Sequence, residues 1–181
     1  VYVGGISENK TSMDLLKYDS AGNQLWVFNE PTADSLADMI LGSSGDIYLT
    51  AMKRVSIGKD IVTLKVSENG QLLWLQAYNH AAGSDDMPYG MGLDPSENVI
   101  VVGTQEHLYT TNYQALLLQY DSTGGFLVQR TYESLTTYGK DKFTDVECLA
   151  SGRVLVTGQA YEVNIYNAIN STDRHDIMAA N

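Results

Sequence analysis

The segment GDIYLTAMKRVSIGKDIVTLKVSENGQLLW, residues 45–74, decides the fold because parts of it recur on both sides of it along the chain. Its last ten residues, KVSENGQLLW (65–74), align with KYDSAGNQLW (17–26), 48 positions earlier. They also align with QYDSTGGFLV (119–128), 54 positions later, where Val128 takes the place of the tryptophan. A self-similar period of about 50 residues is the signature of a repeat architecture.

A second recurring segment gives the same spacing. The sequence IYLTA (47–51) returns as VIVVG (99–103) and VLVTG (154–158), and VYVGG (1–5) is a fourth copy at the start of the chain. Four copies of one apolar segment, each followed by a copy of the other or by the end of the chain, indicate four structural units.

Each complete unit reads as four short strands, because apolar and polar residues alternate and Gly-centred turns separate the runs. Helix-period stripes are absent. Such units predict an all-β fold, a β-propeller with four-stranded antiparallel blades. A β-solenoid is the alternative, but its coils are usually shorter and its strands parallel. The predicted strands are 36–41, 47–52, 60–66, 71–78, 87–93, 99–104, 115–121 and 126–132.

The repeat spacing divides the single propeller fragment, residues 1–181, into a partial blade (1–34), two blades (35–85 and 86–142) and another partial blade (143–181). The first unit opens in a second strand and the last ends, at 177–181, in a third. We therefore expect an excerpt of a larger propeller of about six to eight blades. Open sheet edges should make it associate with the rest of a longer chain or with neighbouring subunits.

Composition and charge limit the kinds of partner that the chain can bind. The net charge is −11, with 22 acidic and 11 basic residues, which disfavours binding to a phosphate backbone. No apolar run is long enough to span a membrane. The single cysteine, Cys148, lies in an apolar strand pattern and is predicted to pack rather than react. An acidic, lysine-poor chain is common among secreted proteins.

The segments LLKYDSAGNQLW (15–26) and GSDDMPYGMGLDPSENVIVVG (83–103) resemble a secreted bacterial β-propeller repeat family. In that family a KYDSxGNxLW-like segment precedes GDDxxxxIAxDxxGNVYVTG, and the resemblance covers nearly the whole chain. It implies a secreted or cell-surface repeat module, and it says little about activity. The chain departs from the pattern at Glu97, Val128, Glu147 and Cys148.

A weaker resemblance is to the quinoprotein dehydrogenase propellers, whose repeats also pair a VYVG strand with a GxLLW strand. Trp26 and Trp74 fit that pattern. The residues that hold the quinone in those enzymes, a stacking tryptophan and in many cases adjacent cysteines, have no counterpart in this chain. We therefore expect no cofactor.

The expected strand order places the short turns at one end of the blades and the longer, variable connections at the other. These connections are predicted at 6–13, 29–34, 53–59, 79–85, 105–113, 133–142 and 159–175, and partner contacts are expected at 105–113, 133–142 and 159–175. Variable loops on a constant scaffold are the usual seat of binding. Tyrosines in or beside these connections are candidate contacts for a protein or a glycan, although they could instead pack against their own loops. These candidates are Tyr109, Tyr113, Tyr138, Tyr161 and Tyr166. The glycosylation sequons at Asn9 and Asn170 lie in connections at the same end.

Catalytic and metal-binding motifs are weak. The histidines His80, His107 and His175 are far from one another and from Cys148, so no metal site is predicted. The pair at residues 85–86 could bind calcium or act as acid and base, but hydrogen bonding within a turn is the favoured interpretation. The segment 19–23 lacks the ligand spacing of a calcium loop and is interpreted as a turn.

The sequence therefore favours a non-enzymatic, extracellular or cell-surface module that binds protein or glycan, or that builds an extracellular assembly. The alternative is a propeller enzyme, a quinoprotein-like oxidoreductase, lyase or hydrolase, acting at the channel mouth. The two differ in whether charged and polar residues converge on the channel. The inner-strand segments 37–41 and 90–93 do not supply such a group.

Overall fold

The computed structural model describes residues 1–8, 12–107, 112–134, 139–163, 171–174 and 177–180, with side chains described up to residue 160. These residues form four antiparallel sheets, and they contain no helix. Sheet I holds β1 (Tyr2–Ile6), β2 (Met13–Tyr18) and β3 (Gln24–Glu30); sheet II holds β4 (Ser35–Leu41), β5 (Ile47–Arg54), β6 (Lys59–Val66) and β7 (Leu72–Tyr78); sheet III holds β8 (Met87–Leu93), β9 (Val99–Glu106), β10 (Tyr113–Tyr120) and β11 (Phe126–Tyr132); sheet IV holds β12 (Lys142–Cys148), β13 (Val154–Val163), β14 (Ser171–Arg174) and β15 (Ile177–Ala180).

The predicted all-β class and antiparallel pairing are confirmed. In sheets II and III the strands are hydrogen-bonded in chain order, β4-β5-β6-β7 and β8-β9-β10-β11. Each ladder between these named strands is antiparallel, which distinguishes the sheets from the parallel coils of a solenoid. Across the part of the chain that the structure describes, the sheets do not close into a ring.

The connections predicted at 53–59 and 159–175 extend into residues that form strands in the structure. Strands β5 and β6 leave only a short turn at 55–58, where Gly58 has a positive φ of 92°. The range 159–175 was expected to be a loop, but β13 continues to Val163 and pairs with β14. Polar and aromatic residues occur both in loops and at the ends of strands. The hydrophobic pattern alone therefore cannot show where a strand such as β13 ends.

Apolar side chains from adjacent sheets form three cores, so the sheets stack in chain order. Leu49 and Leu64 of sheet II are fully buried against Met13 and Leu15 of sheet I. A second core joins sheets II and III, and a third joins sheets III and IV. Burying one such leucine or valine contributes about 1.5–3 kcal/mol. Packing between sheets is therefore a main source of stability.

The repeated tryptophan links each sheet to the next. The Trp26 indole N–H donates to the Glu68 carbonyl at 3.1 Å, and the Trp74 indole N–H donates to the Ser122 carbonyl at 3.1 Å. Each acceptor lies in the turn between the third and fourth strands of the following sheet. The rings lie so close to Gly70 and Gly124 in these turns that a Cβ on either glycine would clash with the indole. The same interaction between neighbouring sheets therefore occurs at both tryptophans of the repeat.

Asx turns shape other short connections. The Asp19 carboxylate accepts the Asn23 side-chain amide at 2.9 Å and the backbone N–H groups of Asn23 and Ala21, both at 2.8 Å. These bonds, the Asn23 side-chain bond first, lower the pKa of Asp19. The predicted turn at 19–23 is thereby confirmed. Asp94 and Asp121 make the same arrangement.

Glu97, where the repeat calls for glycine, has a positive φ of 58°. Its carboxylate accepts the Ser43 N–H and hydroxyl, each at 2.6 Å, and the Tyr48 hydroxyl at 3.1 Å. A non-glycine residue in this conformation costs on the order of 1 kcal/mol or more. The three bonds from sheet II offset that strain.

Candidate functional site

A cleft at the long-connection end, between sheets III and IV, is the candidate site. Its volume is about 400 Å³. Sheet III supplies an aromatic wall and sheet IV supplies lysines. The lining residues are Met87, Tyr89, Thr104, Tyr113, Lys140, Asp141, Lys142 and Gln159. A concave site with aromatic walls and a few polar groups is the usual form of a small-ligand site.

Tyr89 reaches the cleft because it is the extra residue of a β-bulge. Pro88 pairs with Gly103 and Gly90 pairs with Val102, so Tyr89 has no partner residue on β9. Ala37 and Thr144 occupy the corresponding bulges of β4 and β12. A bulge bends its strand and redirects a side chain. Tyr89, which is 39% exposed, is the large member of this repeated set.

Two glycines of the recurring VIVVG and VLVTG segments set the position of the cleft strands. A Cβ on Gly103 would clash with the Met87 carbonyl oxygen, and a Cβ on Gly158 would clash with the Lys142 carbonyl oxygen. Glycine therefore permits β8 and β12 to approach their partner strands just where the cleft residues begin. Sheet II carries Ala51 at this position of the repeat.

A second hollow adjoins the first on the other side of Tyr89. Its volume is about 300 Å³, and Met87 and Tyr89 line both. The remaining walls come from the start of β4, the end of β5 and the start of β8. They are formed by Ser35, Ala37, Met52 and Pro88. Met87 and Tyr89 therefore form a wall common to both hollows.

Positive charge lies beside the Tyr89 ring, and the carboxylates of Asp85 and Glu106 lie at the edge of the site. The Lys142 ammonium lies 5.8 Å from the centre of the Tyr89 ring, within range of a cation–π interaction. At the edge of the site, Lys59 forms an ion pair with Asp85 at 2.6 Å. The Asp85 N–H donates to the Glu106 carboxylate at 2.8 Å. The acidic groups on this side are therefore tied to neighbouring residues.

Burial raises the pKa of both tyrosine hydroxyls. For Tyr89 burial dominates, and the positive charge of Lys59 opposes it. For Tyr113 burial dominates, and the nearby carboxylates of Glu106 and Asp85 add to it. Both phenols are therefore neutral at physiological pH and can donate a hydrogen bond to a ligand.

Asp86 is fully buried behind the site. Its carboxylate accepts the His80 N–H at 2.7 Å and the Ser84 hydroxyl at 3.2 Å. Burial raises the pKa of Asp86 to about 6. Asp141, also fully buried, accepts the Ser134 N–H at 2.6 Å in the corresponding place of the next repeat. These contacts support the turn interpretation of the pair at 85–86.

Of the predicted tyrosines, Tyr113 lies in the cleft, at the start of β10. Tyr161 lies in β13 and its backbone pairs with Asp173, so it is not part of a loop. Tyr109, Tyr138 and Tyr166, like Asn9, Asn170 and His175, lie outside the described residues. Sequence reasoning missed Tyr89. Lys142 and Gln159 lie at the ends of the predicted contact connections 133–142 and 159–175, but neither was singled out as a site residue. The available signal for Tyr89 was an aromatic residue at a bulge position that holds Ala37 and Thr144 in the other repeats.

Other reactive groups do not form a site. Burial raises the pKa of the Cys148 thiol to about 11, and its side chain packs against the core between sheets III and IV. Within the described ranges, no group of three or more His, Cys, Asp or Glu residues could hold a metal ion. No helix suited to crossing a membrane occurs in the part of the chain that was searched.

A larger hollow of about 650 Å³ lies toward the short-turn end, between sheets III and IV. Val154 and Val156 line it, and these residues pair with β15. β15 therefore adjoins this hollow, whereas the cleft beside Tyr89 lies at the long-connection end.

No known family and no curated protein matches this sequence. Among solved structures, a Bacteroides caccae protein of unknown function aligns with a TM-score of 0.53 and 17% identity, over 94% of this chain and 56% of that one. A Bifidobacterium bifidum s17 protein, provisionally described as an exo-β-1,3-galactanase, aligns with a TM-score of 0.50 and 10% identity, over 99% of this chain and 63% of that one. These likenesses concern the β-rich, repeat-like fold alone. The chain spans little more than half the length of these proteins.

Proposed function

We propose that the four sheets are blades of a β-propeller related to the secreted bacterial repeat family, and that the chain is a non-enzymatic binding module of a secreted or cell-surface protein. Its ligand is a glycan, bound in the cleft between Tyr89 and Tyr113. A protein ligand is the second possibility. The predicted loop tyrosines Tyr109, Tyr138 and Tyr166 would add contacts at the same end.

One observation carries the proposal: two partly buried tyrosines line a concave site at the long-connection end. Aromatic rings bind the apolar faces of sugar rings, and their hydroxyls can bond sugar oxygens. The opposite end has short turns whose polar groups bond one another, as Glu97 does with Ser43 and Tyr48. Several polar groups at that end are therefore already bonded within the protein.

A hydrolytic enzyme needs an accessible acid or base. The raised pKa of Asp86, about 6, would suit a general acid, but the carboxyl group is fully buried. The Asp85 carboxylate is held in an ion pair with the Lys59 ammonium. The name of the Bifidobacterium neighbour supplies a reason to include galactan among test ligands, and the cleft supports binding better than catalysis.

The test is calorimetric titration of the wild type and variants with galactan and polygalacturonate oligosaccharides. We expect Tyr89→Ala and Tyr113→Ala each to weaken binding about ten-fold, because each removes a contact surface worth about 1–3 kcal/mol. Tyr18→Ala, near a short turn, is the matched control and should bind like the wild type. Equal binding by all four proteins, or the largest loss in Tyr18→Ala, would refute the assignment.

A further inference from the structure

The two hollows beside Tyr89 suggest a ligand that extends past the ring. They share Met87 and Tyr89, and they run from the start of β4 to the start of β12. A single sugar would fill one hollow, whereas a linear chain would occupy both with Tyr89 between successive units. The same side chain would then contact two parts of one ligand.

The charge of the cleft favours an acidic ligand. Among the described residues, neither Lys140 nor Lys142 takes part in the ion pairs of the structure. Asp141 is fully buried and accepts the Ser134 N–H, and Asp85 is paired with Lys59. The Glu106 carboxylate accepts the Asp85 N–H at the edge of the cleft.

Lys140 and Lys142 both line the cleft, although the chain as a whole has a net charge of −11. A mainly acidic surface repels an anionic ligand, so binding of such a ligand requires a local positive group. The Lys142 ammonium lies 5.8 Å from the centre of the Tyr89 ring, where it can meet a carboxylate on a sugar bound beside that ring.

We propose that the cleft binds a linear saccharide that carries carboxylates, with one carboxylate at Lys142 and successive sugar rings on the two sides of Tyr89. This inference rests on the binding role proposed above and adds the chemical class of the ligand. Lys140 strengthens the attraction from the rim. The neutral phenols and the Gln159 amide contact the hydroxyl groups of the saccharide.

The experiment compares three probes by calorimetry: galacturonic acid, trigalacturonate and the neutral β-galactotriose. Trigalacturonate should bind the wild type at least ten-fold more tightly than either of the others. Lys142→Met should reduce trigalacturonate affinity about ten-fold, a larger loss than for galactotriose, which has no carboxylate. Lys142→Arg, which keeps the charge, should restore most of the affinity.

Arg153→Met is the control for loss of one positive charge, because Arg153 is exposed at the short-turn end. It should not alter the affinity for any probe. If galactotriose binds as tightly as trigalacturonate, or if Lys142→Met binds trigalacturonate like the wild type, the acidic ligand is excluded while glycan binding stands. If no probe binds, both the acidic ligand and the glycan-binding role fail.

Discussion

At the scale of the residue, the burial of Asp86 gives its carboxyl group a raised pKa. Its side chain is fully buried, two donors reach one carboxylate oxygen, and the other oxygen has no partner among the described residues. Placing an ionised carboxylate there is costly, which raises its pKa to about 6 from an ordinary value of 3.8. The residue therefore couples folding to pH.

Asp86→Asn should flatten the pH dependence of stability between about pH 4 and pH 6. In that range the folded wild type keeps a proton that the unfolded chain has released, so its free energy of unfolding falls as pH rises. Asparagine cannot titrate and retains an oxygen acceptor for His80. Urea denaturation at a series of pH values should show the wild type losing on the order of 2 kcal/mol relative to the variant. Parallel curves would contradict the raised pKa.

At the scale of elements, the tryptophan of each outer strand is a link to the next sheet. Trp74 contacts Tyr48 in its own sheet and Tyr120 in the next, with ring centres 6.1 and 6.4 Å away. It also donates to the Ser122 carbonyl in the β10–β11 turn. Val128, at the third tryptophan position, has no side-chain N–H with which to make such a link.

Trp74→Ala should lower the free energy of unfolding by about 3–5 kcal/mol, because it leaves a cavity and a lost hydrogen bond between two sheets. Leu73→Ala, one residue earlier on β7, is the control, since Leu73 is 51% exposed. Its effect should stay within about 0.5 kcal/mol. Guanidinium denaturation measures both. The inter-sheet role of Trp74 is wrong if both variants unfold at the same concentration of denaturant.

Periodicity predicted the strands well where apolar residues alternate or turns are marked by glycine, and the observed β8, Met87–Leu93, agrees with the predicted range. It failed where strands continue through polar residues, as β13 does beyond Gln159. The bulge at Tyr89 was also missed. The bulge adds one residue to β8 where the strand passes close to Gly103 of β9. The alternation of residues within β8 does not reveal such an insertion.

At the scale of the molecule, the two ends of the sheets differ in how their polar groups are used. Short turns bond to the neighbouring sheet, as Glu68 does with Lys17 of β2. The other end contains the Tyr89 cleft. The sequence predicted which end carries the longer connections and included Tyr113 among its candidates. It could not predict the rest of the cleft, because Tyr89, Lys142 and Gln159 meet only when sheets III and IV pack.

The central claim is that ligands bind at the long-connection end, and amide chemical-shift mapping by NMR tests it most directly. The isotopically labelled protein would be titrated with oligosaccharides from digests of galactan and polygalacturonate. We predict the largest shifts at the amides of Tyr89, Thr104, Tyr113 and Lys142, with little change in the short turns. Shifts concentrated at residues 43–46, 67–71 and 122–125 would contradict the account.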